Sequence, residues 1–477
     1  MADTALRAPE LMPGPQRIPF SAVRTLATQP PRFFAAMRER YGAFVRLPLP
    51  QRPIYLVSDP EAIQEVLVTA NRFYGNDILR STATGKRQTP LTMLLGQGLL
   101  TSDGDLHRKQ RRLIQPLFHK QRIAAYGDAF VELSREHTAR WPDGGEVDML
   151  REMVLLTMAI VARTVFDVAL ESDVAETIRT AMPRNDGPLR YALMPAGGLL
   201  ARLPLPANVR FLRGRAALDS VVFKLIARRR ADGAQGGDLL SLLLQARDAD
   251  TGEPMDDRQV RDEALTLLMA GHDTTANGLA WAFHLLSGSP EATRRLYAEV
   301  DEVLAGRPAT IDDLPRLRWT TAVFEEALRI YPPVWTVGRR PLRERELAGY
   351  RLPADAMVMM SPWVVHRDPR WWPQPERFAP QRWVEPDAGE RDPLAGSALG
   401  ADRPKFAYFP FGGGPRQCIG NVFAQTEAVL ALATISQSWR FTAIGREQVR
   451  PQARIIVRPR PGLPMRVERR GRAERTP

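Results

Sequence analysis

Phe409-Pro-Phe-Gly-Gly-Gly-Pro-Arg-Gln-Cys-Ile-Gly420 holds the chain's one cysteine, Cys418. Without a second thiol, Cys418 enters no intrachain disulfide, CxxC redox pair or cysteine-rich zinc site. It is either a small buried apolar side chain or a single thiolate ligand, and its surroundings favour the ligand. Gly412, Gly413, Gly414 and Pro415 make a tight turn whose backbone can approach a flat ligand closely. Amide N–H groups of such a turn, with a helix starting just after Cys418, stabilise a thiolate and tune a metal bound to it. Arg416 is placed to meet an anionic group on the same ligand.

Phe411, Gly412, Gly414, Arg416, Cys418 and Gly420 occupy every fixed position of F-G-x-G-x-R-x-C-x-G. In this the segment resembles the haem-binding signature of the cytochrome P-450 superfamily. Upstream, Ala270-Gly-His-Asp-Thr-Thr275 resembles the superfamily's oxygen-activation motif. Ala270, Thr274 and Gly278 recur every four residues, a small-residue stripe against which a macrocycle can lie. Thr274 can turn its hydroxyl onto the Ala270 carbonyl and open the helix locally, and Asp273 stands beside it to relay protons. His272 is off that stripe and is not expected to bind iron.

Glu326 and Arg329 are three apart on one helical face. ExxR alone says little, but Pro375-Glu-Arg-Phe378 follows, and in the family a buried network joins the ExxR pair to this second arginine, Arg377. His107 and Arg111 share a face in the run after Asp103; they are either a solvated basic face or, as the resemblance implies, ligands of the haem propionates. Arg339 sits where the family places another propionate-binding cation, and Arg340 is an equal chemical candidate. His366 reads as a satisfied structural histidine.

The 477 residues are 44% hydrophobic and 25% charged, as in an ordinary globular protein, with a net charge of +12. A basic balance points to nucleic acid, acidic membrane or an acidic protein partner. No zinc-finger, basic-zipper or RNA-binding motif accompanies it, so nucleic acid is not expected. Residues 1–12 carry Asp3, Arg7 and Glu10 and lack a signal-peptide core. No apolar run is long enough to span a bilayer, 153–162 stopping at Arg163. The expectation is a cytoplasmic protein without a transmembrane anchor, its cysteine reduced.

The pattern predicts a leader over residues 1–30, a catalytic unit over 31–468 and a frayed basic tail over 469–477. Within the unit it predicts helices at 31–40, 60–69, from Asp103 or Asp105, 146–168, 173–182, 258–287, 320–330 and from Cys418 to about 437. Strands are expected at 43–47, 54–57, 347–352 and 356–360, and a final hairpin from 454–457 and 465–467. Residues 76–99 read as a long loop, and 387–404 as a polar insertion. Residues 183–206, rich in Pro, Gly and Leu, resemble the family's substrate-entry region or are a buried connector.

The resemblance covers residues 30–467 and implies a mainly α fold with a small β-rich lobe, a triangular prism with haem between the long central helix and the Cys-loop helix. It implies haem b with Cys418 as axial thiolate, and His107, Arg111, Ala270, Gly271, Arg339, Phe411, Gly412, Arg416 and Gly420 around it. The implied activity is monooxygenation of an apolar small molecule such as a terpenoid or fatty acid with O2, Asp273 and Thr274 managing the protons. Val334 and Trp335 read as part of the apolar lining. No flavin or iron–sulfur segment accompanies these motifs, so electrons are expected from a separate ferredoxin or flavodoxin and its NAD(P)H-dependent reductase. Arg108, Lys109, Arg112, Lys120 and Lys405 would steer that acidic partner to a monomeric enzyme. A peroxide-using or rearranging relative, or a non-catalytic haem sensor, remains the alternative; the intact Asp273-Thr274 pair argues against the former.

Overall fold

The computed structural model describes residues 10–18, 20–49, 53–76, 90–167, 203–233, 236–248, 251–384 and 403–471, with 177, 181 and 200 between them. The expected helix over 173–182, the entry region over 183–206 and the insertion over 387–404 fall largely outside these residues.

Helices α1 (Phe20–Thr28) and α2 (Pro30–Tyr41) precede α3 (Pro60–Gln64). Prolines open α2 and α3, where the missing N–H has no partner to lose. Asp59 caps α3 by accepting the N–H groups of Glu61 and Ala62, but the run over 65–69 continues as a π-helical turn rather than as α-helix. Within the expected loop the described part contains α4 (Pro90–Leu95). Then come α5 (Gly104–Ile114), α6 (Lys120–Ala124), α7 (Gly127–Ala139), α8 (Met149–Phe166), α9 (Pro206–Ala231) and α10 (Leu239–Gln245). The long helix α11 (Asp257–Ser287) has 31 residues, a span of about 46 Å at the α-helical rise. It is followed by α12 (Pro290–Leu304), α13 (Arg318–Ile330), α14 (Pro362–Val365) and α15 (Asn421–Ser438).

Helix α11 is the axis of the core. It packs on α8, α9, α13 and α15, and Ala276 to Leu286 is buried without interruption. Trp281 stacks on Tyr331 with ring centroids 3.8 Å apart. Phe283 meets Phe441 edge-on at 4.7 Å. Each such ring contributes roughly 2–3 kcal/mol of burial, and that sum anchors the C-terminal half of α11 in the core.

The β-rich part is a sheet ordered β1 (Phe44–Leu47), β2 (Ile54–Val57), β8 (Met357–Met360), β5 (Val337–Pro341), β3 (Tyr74–Asn76), in which β2 and β8 run parallel. The expected strand 347–352 is a hairpin instead, β6 (Arg345–Leu347) with β7 (Tyr350–Leu352), because Ala348 and Gly349 turn at φ 50° and 83°. The expected terminal hairpin is also re-paired. β11 (Val457–Arg460) pairs with β10 (Arg450–Ala453), while β12 (Pro464–Arg469) lies between β4 (Glu146–Asp148) and β9 (Trp439–Ala443). Arg470, read as tail, is buried: it donates to Asp301 Oδ1 at 3.0 Å and to the Ser436 carbonyl at 2.9 Å.

Candidate functional site

The cysteine loop is built against the π-helical turn over 65–69. Gly414, at φ 68°, lies so close to the Leu67 carbonyl that a Cβ there would sit 1.9 Å from its oxygen, so only glycine fits. Gly413 faces the Phe406 ring in the same way. Gly412 turns at φ 70° with open space beside it, and its N–H donates to the Phe409 carbonyl at 3.0 Å. The Phe411 carbonyl accepts the Cys418 N–H at 2.9 Å. His366, fully buried, accepts the Phe409 N–H at 2.9 Å on Nε2. Burial holds that imidazole well below its usual pKa, so it acts as a neutral acceptor fixing the loop's entry.

Cys418 Sγ lies just before α15, and the donor aimed at it is the Gly420 N–H, not an amide of the triple glycine. Burial pushes the thiol up, with the Gly420 N–H and Arg111 pulling the other way. The residue is nevertheless exposed. Both facts hold when the sulfur borders a space walled by protein. Ile419 beside it and Met269 beside Ala270 border one apolar cluster formed by α4, α5, α8 to α11.

The cations converge on Asp103. Arg416 Nη2 donates to Asp103 Oδ1 at 2.9 Å and to the Ser102 carbonyl at 2.7 Å. Arg340 Nη2 lies 3.5 Å from Asp103 Oδ2, and its Nη1 3.2 Å from Asp355. Asp103 stands at the N-cap of α5 yet caps nothing, its carboxylate being turned to these arginines and to the Asn76 N–H at 3.3 Å. His107 is buried beside them, its pKa brought down to about 4 by burial first, then by Arg416 and Arg111, with Asp103 opposing and Arg339 adding. Arg111 Nη1 donates to the Gln417 carbonyl at 2.7 Å. His107, Arg111, Arg339, Arg416 and Cys418 are therefore gathered in one place. Asp103 was expected only as the start of a helix, whereas Arg340, the equal candidate beside Arg339, does reach the group through Asp103. An acid at a helix start followed by a positive-φ glycine, Gly104, is the signal that a cap position is doing something other than capping.

On α11 the arrangement departs from the expected stripe. Ala270 is exposed, Thr274 half-buried, and Thr274 Oγ1 donates to the Ala270 carbonyl at 2.6 Å. Gly278, however, is packed against Phe324, where a Cβ would meet the ring at 3.0 Å, and Gly271 faces Val161 of α8 at 3.1 Å. Their smallness serves helix packing, and the open stretch ends at Thr274. His272 is buried, its Nδ1 on the Leu268 carbonyl at 2.8 Å, away from that opening. Asp273 pairs with Arg458 of β11 and accepts Asn277 Nδ2 at 3.2 Å. Trp335, expected as lining, is buried against Phe34 with Nε1 on the Arg454 carbonyl at 2.7 Å.

The scaffold, too, differs from the expected network. Glu326 and Arg329 form a fully buried two-point pair, at 2.8 and 2.9 Å. Glu326 also accepts the Ala379 N–H and Trp383 Nε1, each at 2.9 Å. The second guanidinium is Arg382, 3.4 Å from Glu326 Oε1. Arg377 gives Arg329 only its backbone carbonyl, at 3.2 Å, while its own side chain turns outward to Gln374. Among the expected basic patch, Arg108, Lys109 and Arg112 each carry an acidic neighbour, Asp105, Glu253 and Asp248.

The donor set fits a haem. A thiol raised by burial is ionised by coordination to a cation rather than by its surroundings, and Arg111, Arg339, Arg340 and Arg416 against Asp103 leave positive charge for a ligand's carboxylates. No group of three or more His, Cys, Asp or Glu side chains among the described residues makes a rival metal site. No described helix is long and apolar enough to cross a membrane.

The comparisons agree. The family model described as "Cytochrome P450" matches residues 12–465. The chain is 39% identical to cyclooctatin synthase of Streptomyces melanosporofaciens, over 93% of this chain and 92% of that one. It is 38% identical to cyclooctat-9-en-7-ol 5-monooxygenase of the same organism, covering 87% and 86%. It is 35% identical to pentalenene oxygenase of Streptomyces avermitilis, covering 90% of each. A crystal structure of a cytochrome P450DA heme domain superposes with a TM-score of 0.84 at 26% identity, covering 98% of this chain and 100% of that one.

Proposed function

Because the chain belongs to the cytochrome P-450 family and is a haem-thiolate monooxygenase, we propose that it oxygenates a terpenoid, with Cys418 as the thiolate that would hold the haem iron. Cys418 is the one cysteine available for that role. Its convergence with Arg111, Arg416, His107 and Arg339 about one space is the observation that carries the assignment. The names of the similar Streptomyces enzymes support the terpenoid class. O2 and an electron donor are required by the family's chemistry. The donor is a separate ferredoxin or flavodoxin with its NAD(P)H-dependent reductase, and the enzyme works as a cytoplasmic monomer with residues 31–468 as one catalytic unit.

When bound, the haem supplies oxygen activation and insertion into a C–H bond. The chain does the rest. Gly420 N–H donates to the sulfur and keeps its charge in place. Arg111, Arg339 and Arg416 would neutralise the propionates of a bound haem, with neutral His107 beside them as a further donor. Gly412, with open space beside its turn, and Phe411 shape the wall behind the thiolate. The exposed Ala270 leaves room on the opposite wall, where Gly271 contributes backbone only. Thr274, its hydroxyl held on the Ala270 carbonyl, and the Asp273 carboxylate would hold and hand on the protons that the oxygen chemistry consumes.

The test is spectroscopic. Dithionite-reduced protein under carbon monoxide is expected to show the red-shifted Soret band of a thiolate complex, and Cys418→Ala to lose it. Retention of that band in the variant would end this assignment. Pentalenene, as a cyclic terpene probe, is expected to give a low-spin to high-spin shift that a fatty acid of similar size does not. Thr274→Ala is expected to divert electrons into peroxide.

A further inference from the structure

Asp262 and Glu263, near the start of α11, each accept a main-chain N–H from the segment between α4 and α5. The Gln97 N–H donates to Asp262 Oδ2 at 2.7 Å and the Leu99 N–H to Glu263 Oε2 at 2.8 Å. The approach is so close that a Cβ on Gly96 would sit 2.1 Å from the Asp262 carboxylate, and one on Gly98 2.2 Å from Thr266 Oγ1. The segment is stiffened from within, the N–H groups of Thr101 and Ser102 donating to the Gly98 carbonyl at 2.9 and 2.8 Å. At its far end the Ser102 carbonyl and Asp103 both accept Arg416. Residues 96–103 are thus a bridge from α11 to the arginines beside Cys418. Asp262 has a second partner. Its Oδ1 accepts Arg261 Nη1 at 2.7 Å, and Arg261 Nε donates to Asp219 Oδ1 of α9 at 2.8 Å. The Arg261 side chain is 5% exposed and that of Asp262 8%, so a buried cation is shared between two carboxylates and loses compensation if either withdraws. Helix α9 sends Phe211, Leu218, Val222 and Ile226 into the apolar cluster that Met269 and Ile419 border. An apolar ligand in the space beside that cluster adds buried contacts that favour a seated α9.

We propose that Arg261 is a positioning residue that links substrate binding to haem retention: through Asp219 and Asp262 it seats α9 and the 96–103 bridge together, so that a terpene in the apolar space slows loss of haem. The proposal rests on the reading of that space as the substrate site of a haem enzyme. Such a linkage is reciprocal. A ligand that favours the seated α9 favours the seated bridge, and the bridge holds Arg416 on the propionate side. Cutting the link at Asp219 removes the ligand's effect and, because α9 then no longer supports the bridge, loosens the bridge in the ligand-free protein.

The experiment follows haem transfer from the holoprotein to apomyoglobin, with and without pentalenene at a concentration that saturates its spectral shift. In the wild type the terpene is expected to slow transfer about fivefold, the low end of coupling between two sites. Asp219→Asn, an isosteric change at a partly exposed carboxylate, is expected to keep the thiolate carbon monoxide band and the spectral shift but to lose the slowing. Arg261→Met should lose it too. Amide hydrogen exchange in peptides covering 96–103, measured on the same proteins without terpene, is expected to be about fivefold faster in Asp219→Asn, although Asp219 stands on another helix. A slowing factor in Asp219→Asn equal to that of the wild type, or unchanged exchange over 96–103, would overturn the proposal. So would a wild type that shifts with pentalenene yet releases haem at the same rate. No shift with pentalenene in the wild type would instead remove the terpenoid reading, and the exchange measurement would then decide whether Asp219 supports the bridge.

Discussion

Arg382 Nε lies 3.4 Å from Glu326 Oε1, and so it, rather than Arg377, completes the buried arginine–glutamate–arginine set with Arg329. Two residues of the same type, five apart in an irregular segment, have traded roles. Arg382 is mostly covered, while the Arg377 side chain is exposed.

This arrangement ranks the arginines. Removing one partner of a buried pair leaves an uncompensated charge and costs about 3–5 kcal/mol, so Arg329→Ala is expected to unfold readily in urea and to retain little haem. Arg382→Ala should be clearly destabilising. Arg377→Ala, which removes an exposed side chain, should cost at most about 0.5 kcal/mol. Urea midpoints decide this, and equal losses for Arg377→Ala and Arg382→Ala would contradict the network.

The glycines of the cysteine loop can be ordered in the same way. Gly414→Ala must strain a backbone at φ 68° and push a Cβ into the Leu67 carbonyl, for which the left-handed backbone alone costs about 1–2 kcal/mol. Gly420, whose Cβ would meet only Phe118 at 3.8 Å, tolerates alanine. Haem content per protein is expected to fall sharply in Gly414→Ala and to stay near wild type in Gly420→Ala. The reverse order would show that ligand contact, not the π-helical turn, selects these glycines.

Asp103 offers a third measurement. It draws Arg416 and Arg340 together with the Asn76 N–H. Asp103→Asn leaves the shape and removes the charge, so the arginines lose their shared anion. The expected result is weaker seating of the loop, read as faster haem transfer to apomyoglobin, by severalfold. An unchanged transfer rate would deny Asp103 a part in the site.

Glu263 predicts a pH dependence. It is fully buried, with Oε2 accepting the Leu99 N–H at 2.8 Å, and burial pushes its pKa up to about 8 from 4.5. An acid raised on folding binds more protons folded than unfolded between those values, so stability falls as pH rises from about 4.5 toward 8. The loss is on the order of 5 kcal/mol at most, reached only as pH approaches 8. Glu263→Gln is expected to flatten that slope in urea melts at pH 5, 6, 7 and 8, and an unchanged slope would show that the carboxyl ionises freely in the fold.

Much of the site was legible because its chemistry is local. The Phe409 to Gly420 loop, the Ala270 to Thr275 stretch and the His107 and Arg111 face are each set by spacings of a few residues that a turn or a helix enforces. Long periodic helices were legible for the same reason: α11 and α13 were placed to within two residues. The π-helical turn at 65–69, the re-pairing of β11 and β12 and the split of 347–352 were not, since they depend on partners far along the chain.

Residue order alone determined that one sulfur would stand before a helix, behind a glycine turn, with an acid–threonine pair on a long helix elsewhere. What only the tertiary structure decided is which like residues face inward: Arg382 over Arg377, Asp103 as the hub for Arg416 and Arg340, and Gly278 and Gly271 as packing positions. Charge type and spacing say what a side chain can do. Burial and the arrival of a distant partner, at 3.4 Å for Arg382 and Glu326, settle whether it does so, because a guanidinium in water gains almost nothing from an ion pair while one inside the core must have it.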